Sequence, residues 1–219
     1  MTIMRSGWRY PGILLGLFCA LWLALAIAPL YRQDWLLENL LVLVAVPVLV
    51  ATRHRLRFSD FAYTCVFAFF CIHEVGAHYT YSLVPYDQWF AAAFGTGLNE
   101  LLGFERNHFD RFVHFLYGLL ITPAAIELFA RYGRYPRVWA ALFPLLFITS
   151  HSVIYELVEW TAALVFGGEL GQAYLGTQGD VWDAQKDMAL ALLGARFPAP
   201  GGRLPRQKED NRRCRRPGA

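Results

Sequence analysis

Long apolar stretches constrain this chain more than any other feature. Residues 11–30, PGILLGLFCALWLALAIAPL, and residues 111–130, RFVHFLYGLLITPAAIELFA, are each long enough to cross the ~30 Å hydrocarbon core of a bilayer. Similar runs fall at about 36–52, 60–81 and 137–166, with a shorter one at 181–197. A soluble domain carries about a quarter charged residues, whereas only 17% are charged here. The pattern predicts an all-α, polytopic membrane protein with six transmembrane helices, forming one membrane domain over residues 1–197. The first run has a basic start and Ala26-Ile-Ala28, as a signal peptide would, but with further spans following it reads as a retained anchor. Pro47 is tolerable in a membrane helix as a kink. The fifth run is too long for one straight crossing and predicts a tilted or projecting helix. The sixth is barely long enough, because it breaks into RFPAPGGRLPRQKEDNRRCRRPGA. Residues 198–219 predict a basic, disordered cytoplasmic tail.

Charge gives these spans a direction. Arg5 and Arg9 precede the first, and Arg53, Arg55 and Arg57 follow the second. Arg131, Arg134 and Arg137 join the fourth to the fifth, and Arg196 opens the tail. With the amino terminus inside, all of the 20 Lys and Arg except Arg32, Arg106, Arg111 and Lys186 fall on the cytoplasmic side, as the positive-inside rule demands. Of the 17 acids, all but Asp60, Glu127, Glu209 and Asp210 lie toward the other side. The reading is a multi-pass membrane protein with both termini cytoplasmic. The outer loop 82–110 carries aromatics suited to headgroup depth. The net charge of +3 implies no nucleic-acid partner, since the basic residues occupy positions that fix topology. The four cysteines have no metal-finger spacing and imply no disulfide framework.

Ionisable residues recur near one level of four spans. Glu74 and His78 are four apart in the third span and share a face, as do Asp110 and His114 in the fourth, with Arg111 beside them. The fifth strings His151, Tyr155 and Glu159 at intervals of four, with Glu156 on the flank. The sixth aligns Asp180, Asp183 and Asp187 on one stripe. At about 1.5 Å per residue, Glu74 lies about 21 Å above Asp60, His114 about 26 Å above Arg131, and Asp183 about 20 Å above Arg196. The levels overlap, which predicts a polar cluster toward the periplasmic side.

Each residue also has a plain structural role open to it. A single membrane His commonly makes one interhelical hydrogen bond. Glu127, with Arg131 four residues on, reads as a surface ion pair. Asp180 suits a helix cap, and Tyr79, Tyr81, Trp160 and Trp182 suit an aromatic belt. The cluster as a whole argues for more, because an Asp at mid-helix costs about 2.5–3.5 kcal/mol to insert. Glu74, His78, His114, Glu156 and Asp183 form a candidate set for a divalent metal ion. Arg106 and Arg111 are the outer cations best placed to grip a phosphate. HEVGAH lacks zincin spacing, and neither a nucleophile elbow nor a phosphate-cradling Gly loop is evident.

At HEVGAHYTYS, ERNHFDRFVHFLYG, SHSVIYELVEW and GTQGDVWDAQKDM, over about residues 70 to 190, the chain resembles the YjdF family of bacterial inner-membrane proteins, a domain of unknown function. DRFVHFLYG with the later acidic segment more loosely resembles the VanZ superfamily. The resemblance implies a six-span fold with these motifs grouped together, and no established reaction. Carried over by position, the motif residues are His73, Glu74, His78, Asn107, Asp110, Arg111, His114, Tyr155, Glu156, Glu159, Asp180, Asp183 and Asp187.

Three functions are consistent with these features. The first is a pocket that binds or processes a polar lipid or lipid-linked envelope precursor, with membrane lipids as its surroundings. The second is an ion- or proton-coupled transporter, against which the apolar cytoplasmic half of the spans argues. The third is a structural or partner-binding membrane protein without turnover.

Overall fold

The structure is a computed structural model and describes residues 8–133, 135–168, 171 and 175–199. Arg5, Arg134 and the tail from residue 200, including Cys214, lie outside the described residues. Among the described residues the fold is all-helical: α1 (Arg9–Leu25), α2 (Arg32–Thr52), α3 (Asp60–Tyr79), α4 (Tyr86–Phe94), α5 (Leu98–Leu102), α6 (Phe109–Tyr132), α7 (Arg137–Phe166) and α8 (Asp183–Arg196). The 4 helices α2, α3, α6 and α7 are long and apolar enough to cross a membrane, and α1 is a shorter apolar helix of 17 residues. The 14 residues of α8 give a rod of about 21 Å, short of a bilayer core.

Helix ends follow local chemistry. α1 stops at Leu25, before the expected residue 30. The carbonyls freed there are met from outside, as orphan helix-end groups require. His78 Nδ1 of α3 lies 2.8 Å from Leu25 O, and Arg32 donates to Ala26 O at 2.7 Å. Ser59 caps α3 by accepting from Ala62 N at 3.1 Å. Ser59 is itself held by α6, since its N–H and Oγ donate to the Glu127 carboxylate at 2.7 and 2.5 Å. Arg131 donates to Arg55 O at 2.9 Å and Arg57 O at 3.3 Å. The expected Glu127–Arg131 ion pair is therefore corrected: each side chain stitches the α2–α3 connection to α6, because unpaired backbone groups there offer better-placed partners.

α3 stops before residue 81 because Thr80 takes φ +61°, an unusual conformation for a β-branched residue. Such a backbone costs about 1–3 kcal/mol. Burial and a 2.5 Å hydrogen bond from Thr80 Oγ1 to Asp34 Oδ2 hold it in place. The chain then turns back on itself, so that the Tyr81 ring covers Gly76, where an added Cβ would lie 2.7 Å from the ring.

α6 packs against α3, α7 and α8. Phe69 of α3 meets Tyr117 at 5.5 Å, and Phe129 meets Phe143 and Phe147 of α7 at 5.7 and 5.8 Å. The α6–α8 crossing is the closest approach. A Cβ on Gly118 would lie 1.9 Å from Ala191 O, and one on Gly194 2.1 Å from Phe115 O. Small residues let membrane helices approach backbone to backbone. That crossing carries the acids of α8 to the start of α6.

Candidate functional site

Asp110 and His114 occupy successive turns at the start of α6, facing the first two turns of α8 and the middle of α7. One ligand oxygen from each of Asp110, Asp183 and Asp187 lies within 4.8 Å of the others. His114 Nε2 stands 3.6 Å from Asp110 Oδ1 and 3.5 Å from Glu156 Oε1, too long for a good hydrogen bond. Glu159 lies against Glu156 one turn on. Two arginines converge on the rim: Arg106 and Arg111 both donate to Asp183 Oδ1, the latter at 3.1 Å. Arg111 also bonds Asp180, where Lys186 Nζ donates at 2.6 Å. Arg106 reaches Thr177 O as well.

Asp180 precedes α8 and does not share its stripe. Its Oδ1 accepts from Trp182 N at 3.0 Å, so it caps the turn that starts the helix. The Lys186 ammonium, then the Trp182 N–H and the Arg111 guanidinium, hold its carboxyl well below the usual carboxylate range. Burial, with repulsion from Arg111 and Arg106, pushes the His108 imidazole before α6 below its ordinary range.

A second polar set lies between α2, α3 and α7. Tyr155 donates to Glu38 Oε2 at 2.5 Å, and His73 holds the Tyr81 hydroxyl with Nδ1 and Glu38 O at 3.3 Å with Nε2. Asn39 accepts from Trp22 and donates to Trp35 O at 2.8 Å. Glu74, fully buried, lies against Asn39, yet neither carboxyl oxygen completes a hydrogen bond. Glu38 acts electrostatically on Glu159, and Asp110 on both, so the two sets are neighbours.

The structure brings Asp110, His114, Glu156, Glu159, Asp183 and Asp187 together, with Arg111 and Asp180 at the rim. His73, Glu74 and Tyr155 belong to the second set. His78 ends α1, away from both, so the metal set Glu74, His78, His114, Glu156 and Asp183 is not one constellation. Asn107 latches two loops: it donates to Val84 O at 2.8 Å and its backbone exchanges bonds with Gln178 at 3.1 and 2.9 Å. Sequence reasoning missed Asp34, Glu38 and Asn39, all 3% exposed or less. The i, i+4 spacing of Asp34 and Glu38 is the signal that marked Glu74 and His78, and it was there to be used.

A cavity of about 280 Å³ joins these groups to exposed apolar side chains at the surface of the bundle. Asp110, His114, His73, Tyr81 and Tyr155 line one part of it. Leu40 and Val44 of α2 and Ile154 and Val158 of α7 line another, and all four are exposed. The space therefore reaches the apolar flank of the bundle between α2 and α7.

Comparison with known proteins agrees with this architecture. A family model described as "Predicted membrane protein (DUF2238)" matches residues 10–202. The chain is 39% identical over 166 residues to the protein of Escherichia coli strain K12 named "Inner membrane protein YjdF", covering 75% of each chain. No solved structure matches.

Proposed function

This chain belongs to the DUF2238 family of predicted membrane proteins, and on that premise we propose that it binds a polar lipid or lipid-linked envelope precursor. The head group enters the wall formed by Asp110, His114 and Tyr155, and the apolar part leaves between α2 and α7. The cavity carries this reading: one wall is polar and buried, while the other is made of exposed aliphatic side chains. Sites for small amphipathic ligands combine a mostly apolar lining with a few convergent polar groups. At about 280 Å³ the space suits a head group or one chain segment, so the rest of the ligand stays among the surrounding lipids.

The expected grip of Arg111 on an anionic head group takes a different form here. Its guanidinium is engaged by Asp180 and Asp183, so acids and hydroxyls face the ligand instead. This favours polyhydroxyl or amine-bearing head groups, which donate hydrogen bonds to carboxylates. In the proposed topology the protein crosses the bacterial inner membrane six times, with α1 and α8 as the first and last spans. Both termini are cytoplasmic and the acids face the periplasm. The contact of Arg131 with Arg55 O and Arg57 O supports it by gathering basic segments at one end.

The test is native mass spectrometry of lipids retained by protein purified in mild detergent. Val44→Trp or Ile154→Trp, which fills the apolar wall, is expected to remove the retained species. Leu36→Trp, also on α2 but outside the cavity lining, is expected to leave it in place. An identical lipid complement in all three variants overturns the proposal.

A further inference from the structure

We propose that Asp110, Asp183 and Asp187 form a binding site for a single divalent cation of the hard, oxygen-seeking class. Their ligand oxygens lie within 4.8 Å of one another. Oxygens bound to one Ca²⁺ at about 2.3–2.6 Å stand up to about 4.6–5.2 Å apart, so this spacing is of the size that one shared ion draws together. All-carboxylate donors select Ca²⁺, Mg²⁺ or Mn²⁺ over soft metals.

Proximity of acids alone would not carry this. A second observation does: Asp187 is only 2% exposed, and its Oδ1 has no hydrogen-bond partner. A buried carboxylate oxygen left bare in this way is unfavourable, and a bound cation removes that cost. Glu156 Oε1, beside the triad, completes no hydrogen bond either and has His114 Nε2 at 3.5 Å. Arg106 and Arg111 hydrogen-bond Asp183, Asp180 and Thr177 O, and Lys186 bonds Asp180, so none of these cations bonds the bare Asp187 oxygen.

The charges point the same way. Asp110, Asp180, Asp183, Asp187, Glu156 and Glu159 outnumber Arg106, Arg111 and Lys186 by three, a surplus of negative charge that a divalent cation offsets in large part. Asp110 also lines the cavity, so the ion sits where a phosphate or hydroxyl oxygen of a bound head group completes its coordination. The metal site goes beyond the lipid-binding reading and stands without it.

The experiment titrates Mn²⁺ into full-length, EDTA-stripped protein in detergent, following free Mn²⁺ by electron paramagnetic resonance. Wild type is expected to hold a single Mn²⁺ that excess Ca²⁺ or Mg²⁺ displaces and Na⁺ does not. Asp110→Asn and Asp187→Asn are expected to weaken binding about tenfold or more, while Glu74→Gln, outside the triad, binds as wild type does. In thermal melts Ca²⁺ raises the Tm of wild type and leaves that of Asp187→Asn unmoved. No Mn²⁺ on the wild type, or an affinity in Asp110→Asn and Asp187→Asn equal to that of wild type, overturns the site. Lipid retention measured in EDTA separates this failure from that of the lipid reading.

Discussion

The two ends of α6 treat carboxylates differently. Near its last turns Glu127 takes hydrogen bonds from Ser59 N and Oγ at 2.7 and 2.5 Å, and Arg131 beside it meets two backbone carbonyls. Near its first turns Asp110 crowds against Asp183, Asp187 and Glu156, and one oxygen each of Asp187 and Glu156 completes no hydrogen bond. Buried polar groups are paired in the great majority of cases. Completed bonding at one end marks an internal fastening. Its absence at the other marks a surplus of acceptors that the fold keeps available.

The largest effect expected is at the α6–α8 crossing. Gly118→Leu and Gly194→Leu drive side chains into backbone 1.9 and 2.1 Å away. They are expected to cost several kcal/mol, read as loss of monodisperse protein after detergent extraction, because the acidic end cannot assemble without α8. Next comes Glu127→Ala, which strips the Ser59 N–H and the start of α3 of their acceptor. A loss of about 2–4 kcal/mol is expected, seen as a lowered melting temperature. Asp187→Asn, in contrast, is expected to melt in EDTA at or above wild type, since it removes an unpaired charge. Equal losses in Glu127→Ala and Asp187→Asn would erase the distinction between the two ends.

Tyr155→Phe sharpens the boundary between the two polar sets. It deletes the 2.5 Å bond to Glu38 and is expected to cost about 1–3 kcal/mol, with Mn²⁺ affinity unchanged. The smallest effect is from His108, whose ordinary value of 6.5 is lowered in the folded protein. The unfolded chain therefore takes up this proton more readily, and the stability present above pH 6.5 declines as pH falls through it. His108→Gln is expected to flatten the melting-temperature profile just below that pH.

The apolar runs made the helices legible, and the family resemblance read over about residues 70 to 190 extends to residues 10–202. Helix ends were less legible. Thr80 ends α3 through a backbone conformation that its residue type disfavours, and α1 ends where His78 arrives from another helix. The i, i+4 rule correctly put Asp110 and His114 on one side of α6. It gave no rotational position for α3 relative to its neighbours, so Glu74 faces Asn39 while His78 meets α1. Asp34 and Glu38 were less legible because they sit in the first turns of an otherwise apolar helix, where sequence alone does not separate a buried acid from one at the membrane surface. Arg111 was legible as a residue and not as a partner: Asp180 and Asp183 are distant in sequence, and only the crossing at Gly118 and Gly194 brings them to it.

That crossing also bears on how the chain is made. α8 carries Asp183, Lys186, Asp187 and Arg196 in 14 residues, a composition that a translocon would pass over as a free segment, at about 2.5–3.5 kcal/mol for each mid-helix charge. Its place is prepared by the groove along Gly118, where Ala191 and Ala195 lie almost fully enclosed. Biogenesis then has an order. α6 enters on its own hydropathy, α8 follows by docking, and the acids are sealed together only once α8 has been made.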